Sequence, residues 1–171
     1  MPDRSHPVTI RDAGSLDVPA IVDIYNESVT TSTATFDTTP RTVDDYSAWF
    51  SSHDERHPII VAETDGIIAG WASLSRYSDR AAYDGTAEVS LYVRGSHRRR
   101  GIGKRLFFSI LDRGRTVGLH TVISRIAEGN DVSVALHESA GFFIVGVMRQ
   151  VGRKFGRLLD VVIMQHIYTE D

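Results

Sequence analysis

A mixed α/β domain is the fold class this sequence predicts. Three observations carry that reading: short β-type apolar runs, amphipathic stripes at helical spacing between them, and turn signals where runs meet, Asp65-Gly66 above all. Val8 to Arg11 reads as a first strand. Ser15 is placed to cap a helix from Leu16 to about Ser28, with Leu16, Ala20, Ile21, Ile24 and Tyr25 on one stripe and Pro19 in the first turn, where proline is tolerated. Thr30 to Thr39, rich in threonine, reads as a loop carrying Phe36. Thr42 caps a second helix bearing Val43, Tyr46, Trp49 and Phe50. Pro58 to Glu63 and Ile67 to Ser75 are strands joined by the Asp65-Gly66 hairpin. Ala87 to Val93 is a strand in which Val89, Leu91 and Val93 alternate with Glu88, Ser90 and Tyr92. Arg105 to Val117 is a helix with Leu106, Phe107, Ile110 and Leu111 on one face, and Thr121 to Ala127 is a strand. Val132 to Ser139 is a short helix closed by Ala140-Gly141, and Phe142 to Met148 and Val161 to Tyr168 are the last strands. The order is β-α-α-β-β-β-α-β-α-β-β, with a meander in the middle and a crossover on each side of the fifth strand.

Composition narrows the function classes. The chain has 171 residues, 42% hydrophobic and 24% charged, which is ordinary for a globular protein able to bury a core without staples. No apolar run approaches the roughly 20 residues of a membrane span. Met1 to Ile10 carries Asp3, Arg4 and Pro7 and does not read as a secretory signal, so the cytoplasm is the expected compartment. The absence of cysteine excludes disulfides, thiolate metal sites and an acyl-cysteine intermediate. A net charge of -3 is not that of an overall nucleic-acid binder, and neither a nucleic-acid nor a membrane partner is expected. His53 and His57 stand four apart, but Pro58 ends any helix there and no third ligand follows, so no metal site is expected.

One local basic run goes against that average charge. Arg98-Arg99-Arg100-Gly101-Ile102-Gly103-Lys104 joins a strand to a helix. Glycines admit close backbone approach, and the helix start that follows presents free N–H groups and the positive dipole end, a combination suited to phosphate. A Walker loop would need glycine at Arg98 and Ser/Thr at Arg105, and a dinucleotide fingerprint would need glycine at Leu106. Both fail. A plain solvated basic turn is the competing reading. Nucleic-acid binding through the arginines is disfavoured because no aromatic residues interleave them.

The Arg/Gln-x-x-Gly-x-Gly pattern after a strand resembles the pyrophosphate loop of the GCN5-related N-acetyltransferase (GNAT) family, and the resemblance extends from Ile10 to Gln165. Asn130, Ser133 and Ala140-Gly141-Phe142 resemble the family's second motif. Arg80-Ala81-Ala82-Tyr83-Asp84 with Thr86 and Glu88, and the tail Gly152-Arg153-Lys154-Phe155-Gly156 with Asp160 and Gln165, are similar to the phosphinothricin and methionine sulfoximine/sulfone N-acetyltransferase branch. His137 stands where many members of the wider family have tyrosine, and the histidine fits this branch. The resemblance implies a mostly antiparallel central sheet flanked by helices, one domain over 8–168 between short termini at 1–7 and 169–171, and a homodimer. It implies acetyl-CoA held by Leu91, Tyr92, Val93, Arg98, Arg99, Arg100, Gly101, Ile102, Gly103, Lys104, Asn130 and Ser133. It also implies a bulge in the strand Ala87 to Val93, with a backbone N–H near Leu91 stabilising the oxyanion.

Spacing alone leaves Glu88 open between a solvent-facing strand residue and a base. The resemblance implies the base, since an ammonium must lose a proton before it attacks a thioester and burial can raise a carboxylate's pKa to suit. His137 reads either as a histidine satisfied by backbone or as an active-site group that protonates the leaving thiolate or assists deprotonation of the amine. The resemblance implies substrate contacts from Phe36, Ser78, Arg80 and Tyr83, with the Arg80 guanidinium suited to an amino-acid carboxylate. The expected reaction is direct acetyl transfer to the amine of a small amino-acid-like acceptor such as phosphinothricin or methionine sulfoximine or sulfone. A peptide N-terminus or another amine as acceptor, and a non-catalytic acyl-CoA-binding sensor, are the alternatives.

Overall fold

The computed structural model describes residues 7–169; most of the termini read at 1–7 and 169–171, and part of Met1 to Ile10, lie outside the described residues. The elements are β1 (Thr9–Asp12), α1 (Val18–Thr31), α2 (Val43–Ser51), β2 (Ile59–Thr64), β3 (Ile67–Arg76), β4 (Thr86–Val93), α3 (Ile102–Thr116), β5 (Thr121–Ala127), α4 (Asp131–Ser139), β6 (Phe143–Lys154) and β7 (Arg157–Ile167). They follow the order the sequence predicts. The seven strands form one sheet in the order β1-β2-β3-β4-β5-β7-β6. Every pairing is antiparallel except β4–β5, which the α3 crossover makes parallel.

Strand alternation sends side chains to the two faces, and each face has its own core. One face packs Leu74, Val89, Val122 and Met164 against Leu106, Phe107 and Ile110 of α3, with Val134 and Leu136 of α4 at its margin. The other packs Val61 and Trp71 against Ile21 and Ile24 of α1 and Tyr46 of α2. The Trp71 indole donates to the Ile21 carbonyl at 3.1 Å, which fixes α1 on its face. Asp65 and Gly66, with φ of 52° and 72°, make the two-residue turn between β2 and β3. Thr42 caps α2 reciprocally with Asp45, at 3.0 and 3.1 Å.

Four expectations are corrected. Ser15 does not cap α1: Ser15–Asp17 is a separate 3-10 turn in which the Asp17 carboxylate accepts from Gly14 N at 2.8 Å and holds Arg11. The helix starts at Val18, and Leu16 is 95% exposed rather than part of the stripe. At the basic loop, α3 begins at Ile102, three residues earlier than its apolar stripe suggested, so Gly103 and Lys104 lie in its first turn. The last two strands are longer than predicted and form one hairpin turning at Phe155-Gly156, where φ is 49° and 74°. Finally, β4 pairs with β3 in unbroken register from Arg76↔Ala87 to Gly70↔Val93, with no bulge.

Candidate active site

The central feature is a short seam. β4 and β5 pair only at Thr86↔Thr121, Ala87↔Val122 and Glu88↔Ile123, after which the strands diverge. The divergence opens a cleft of about 470 Å³ through the sheet, walled by Glu88 to Tyr92 on one side and Ser124 to Ala127 on the other. The N–H of Arg94 donates to Ala69 of β3 at 2.8 Å. By alternation, the Tyr92 and Ser90 N–H groups also face β3, so the Leu91 and Val93 N–H groups, past the last β5 pair at Glu88↔Ile123, face the cleft. The free Leu91 N–H that sequence reasoning sought at a bulge is supplied instead by the departure of β5.

The two faces give the cleft two chemically different ends. On the α3 face lie Phe107, Asn130, Ser133 and His137. On the other lie the Glu88 carboxylate, Tyr25, Phe36, Asp37 and Arg125, with Met148 and Val151 of β6. The basic loop leads into the α3 face. Gly101, with φ of 76°, caps α3, and the first helical amides at Ile102, Gly103 and Lys104 have no carbonyl within the helix to bond. Arg98 donates to Val93 O at 3.1 Å, which folds the loop back on the end of β4. Glu27 of α1 accepts from Gly95 N at 2.8 Å and pairs with Arg94, anchoring the loop's start. The Arg99 and Arg100 side chains are exposed and have no partner among the described residues. These donors suit a polyanion, and the cleft beyond them suits an extended thiol-bearing arm, so the residues present fit acetyl-CoA.

Glu88 does not stand alone. The Arg125 guanidinium grips its carboxylate with both forks, Nε to Oε1 at 2.8 Å. Arg125 was missed; the one sequence signal was a charged residue inside an otherwise uncharged strand. The parallel seam brings the two side chains together across 37 positions of sequence.

His137 is buried, its ring 4.4 Å from that of Phe107 and 4.9 Å from that of Phe142. Its Nδ1 lies 2.7 Å from the Ser133 carbonyl, which can only accept, so Nδ1 carries the proton. Nε2 is buried with no hydrogen-bond partner among the described residues. Burial lowers the imidazole's pKa, the Ser133 bond opposing it in part. The ring is therefore neutral at pH 7, with a lone pair on Nε2. Asn130 caps α4 through Ser133 N at 3.3 Å, so both residues set the helix that carries His137.

Opposite, burial pushes the Tyr25 hydroxyl up to about 12, so it stays protonated and donates to Asp37 at 2.7 Å. Arg41 holds the Asp37 carboxyl below the usual range. Phe36, next to Asp37 in the chain, lines the cleft. Ser78, Arg80 and Tyr83 do not line it. They sit on the loop between β3 and β4, which enters β4 two residues before Glu88. There Tyr83 packs on Tyr77 at 5.3 Å, and the exposed Arg80 guanidinium has no acceptor among the described residues. His53 and His57 are engaged by Trp49 O, Ser75 and Asp54, and no group of three potential metal ligands stands among the described residues.

Comparison with known proteins is consistent with this geometry. A model described as the acetyltransferase (GNAT) family matches residues 20–142. The chain is 41% identical over 159 residues to an L-methionine sulfoximine/L-methionine sulfone acetyltransferase of Pseudomonas aeruginosa, covering 92% of each. It is 37% identical to a phosphinothricin N-acetyltransferase of Streptomyces viridochromogenes, covering 96% of this chain and 89% of that protein. A GNAT superfamily phosphinothricin acetyltransferase from Sinorhizobium meliloti, solved in complex with acetyl-CoA, superposes with a TM-score of 0.90 at 34% identity, covering 94% of this chain and 88% of that one.

Proposed function

The chain belongs to the GNAT acetyltransferase family and is an acetyl-CoA-dependent N-acetyltransferase; from that premise we propose that its acceptor is the amine of a small amino-acid-like molecule of the phosphinothricin, methionine sulfoximine or methionine sulfone type. The catalytic unit spans 8–168 and acts in the cytoplasm as a homodimer. The observation that carries the reading is the cleft through the sheet, with an anion-binding helix start on one face and a carboxylate on the other. Acetyl-CoA supplies an acyl group activated as a thioester. Gly101 to Lys104, with Arg98, Arg99 and Arg100, hold its phosphates, and Asn130 and Ser133 flank its arm.

The acceptor enters from the α1 and α2 face. Glu88 accepts the ammonium proton there and Arg125 orients the carboxylate. The Leu91 N–H donates to the oxygen on which charge develops, aided by its neighbours Tyr92 and Val93 in holding the strand. Arg80, the uncommitted guanidinium beside this end, receives the acceptor's carboxylate, with Ser78 and Tyr83 on the same loop. Phe36 walls the acceptor side chain. One observation favours a second assignment of the base. The lone pair of His137 Nε2 is unengaged, whereas Glu88 is held by Arg125. His137 can then take the proton itself; the neutral tautomer does not supply one to the thiolate.

Thiol release from acetyl-CoA, followed across amino-acid analogues and their methyl esters, tests both points. The free acids should turn over and the esters should show a KM raised by about tenfold or more. Equal turnover of acid and ester would remove the carboxylate from the reading. Glu88→Gln should lower kcat about 100-fold, with acetyl-CoA affinity kept. A Glu88→Gln enzyme of normal kcat beside an inactive His137→Ala enzyme would transfer the base to His137.

A further inference from the structure

We infer that Gly152, on the C-terminal hairpin and outside the cleft lining, sets which acceptors the cleft admits: its missing side chain is the seat of the Phe36 ring, and Lys154 fixes the loop that carries that ring. The inference rests on the acceptor reading above, in which Phe36 walls the acceptor's side chain.

The hairpin is bent toward that loop. Pairing of β6 with β7 shifts register between Met148 and Gly152. The extra residues are held as a bulge, with Gln150 at φ of 52° and its N–H donated to the Asp160 carboxylate at 2.8 Å, while Arg149 pairs with the same carboxylate at 2.6 Å. Beyond the bulge Gly152 pairs with Leu159. A Cβ on Gly152 would overlap Cε2 and Cδ2 of Phe36 and lie 3.0 Å from Cζ. Gly152 is not among the positive-φ glycines. Space, not backbone conformation, therefore requires the glycine.

Two positions along the strand, Lys154 is 4% exposed, and its ammonium donates to Thr35 O at 2.8 Å and reaches Ser28 O at 3.5 Å. A buried ammonium is tolerated only where acceptors surround it, so the Thr35 and Ser28 carbonyls must stay where they are. Tyr25 holds the Thr35 hydroxyl at 2.7 Å. Phe36 thus leaves a pinned residue, and its ring lies on bare backbone. Because the ring is the end of a side chain and 37% exposed, a methyl group on Gly152 displaces it at little cost to the fold. The consequence appears in the shape of the acceptor pocket and not in stability. Gly152 and Lys154 are positioning residues: they act through Phe36 and Thr35.

The test is a double-mutant cycle in steady-state kinetics, with methionine sulfone and phosphinothricin as acceptors. Gly152→Ala should raise acceptor KM about tenfold while leaving KM for acetyl-CoA within about twofold. Its Tm should stay within about 3 °C of the parent. In a Phe36→Ala background, the same substitution should change acceptor KM by less than about twofold, because the ring it displaces is gone. Lys154→Met, where it folds, should shift acceptor KM in the same direction. An active wild type beside an unchanged Gly152→Ala enzyme overturns the inference alone. So does a rise in both KM values, or an effect of equal size without Phe36. Wild-type enzyme that releases no thiol with any amino-acid acceptor overturns the acceptor reading, and this inference with it.

Discussion

Gly101 sets the backbone geometry of the basic loop at the start of α3. Its φ of 76° starts α3 at the point where the first amides must face outward. A Cβ there meets nothing within 4 Å, so a substitution is strained through its backbone and not through packing. Left-handed backbone costs an L-residue roughly 1–2 kcal/mol, and a β-branched one more. Gly101→Val should therefore weaken acetyl-CoA binding about tenfold or more in titration calorimetry, in a protein that still folds, with Gly101→Ala between the two. Unchanged affinity in a folded Gly101→Val protein would detach the loop from the donor. Gly101 was legible because glycine next to arginine before a helix has few explanations. Arg125 was not legible, because its meaning is a contact with Glu88 that exists only once β5 lies parallel to β4. Leu16 misled for the opposite reason: helical spacing counts an apolar residue before asking whether the turn containing it is helical.

Among the elements, β6 has an edge problem. It is the last strand of the sheet, and Phe143, Ile144, Val145, Val147 and Val151 along it are each between 42% and 56% exposed. An apolar edge strand invites a partner. A second copy of the chain pairing on this edge accounts for the homodimer proposed above, and light scattering at micromolar concentration should give twice the chain mass. Asp and Lys substitutions at Ile144 and Val145 should return the monomer mass; a wild-type monomer under those conditions would refute the proposal. This element was only half visible in sequence. Gly152, Gln150 and the basic residues around them dilute the β signal, so two short strands and a connection were read where one bulged hairpin exists. α3 began early for a related reason: Gly103 reads as loop by propensity, yet it sits in the first turn, where helix propensity weighs least.

For the whole molecule, one buried imidazole and two half-buried ones set the response to acid. Burial lowers the pKa of His53, His137 and His166 below the ordinary 6.5. Below pH 6.5 the unfolded chain binds protons that the folded chain refuses, so stability is full above that pH and falls as pH descends through the folded values. Asp17 and Asp37, lowered from 3.8 chiefly by Arg11 and Arg41, add a second loss as pH falls below that value. Tm should be flat near pH 7 to 8, decline below about 6.5 and steepen below about 4. His137→Gln should soften the first decline, and a Tm constant from about pH 7 to pH 5 would contradict the assignment. The element order and the two amphipathic faces were readable here because alternation and helical stripes report burial directly. The cleft was not, since nothing in a strand's composition records where its neighbour stops pairing.

That three-residue seam has a consequence for what the substrates are to the protein. Beyond Glu88, β4 presents peptide groups that inside a sheet would belong to a neighbour, and no strand among the described residues takes them. The free enzyme is in this sense an unfinished sheet, four strands and three stitched at one end. A molecule lying in the gap takes the place of missing backbone. Loading the cleft is therefore also an act of architecture, in which the ligand becomes the last piece of secondary structure and each turnover takes it out again.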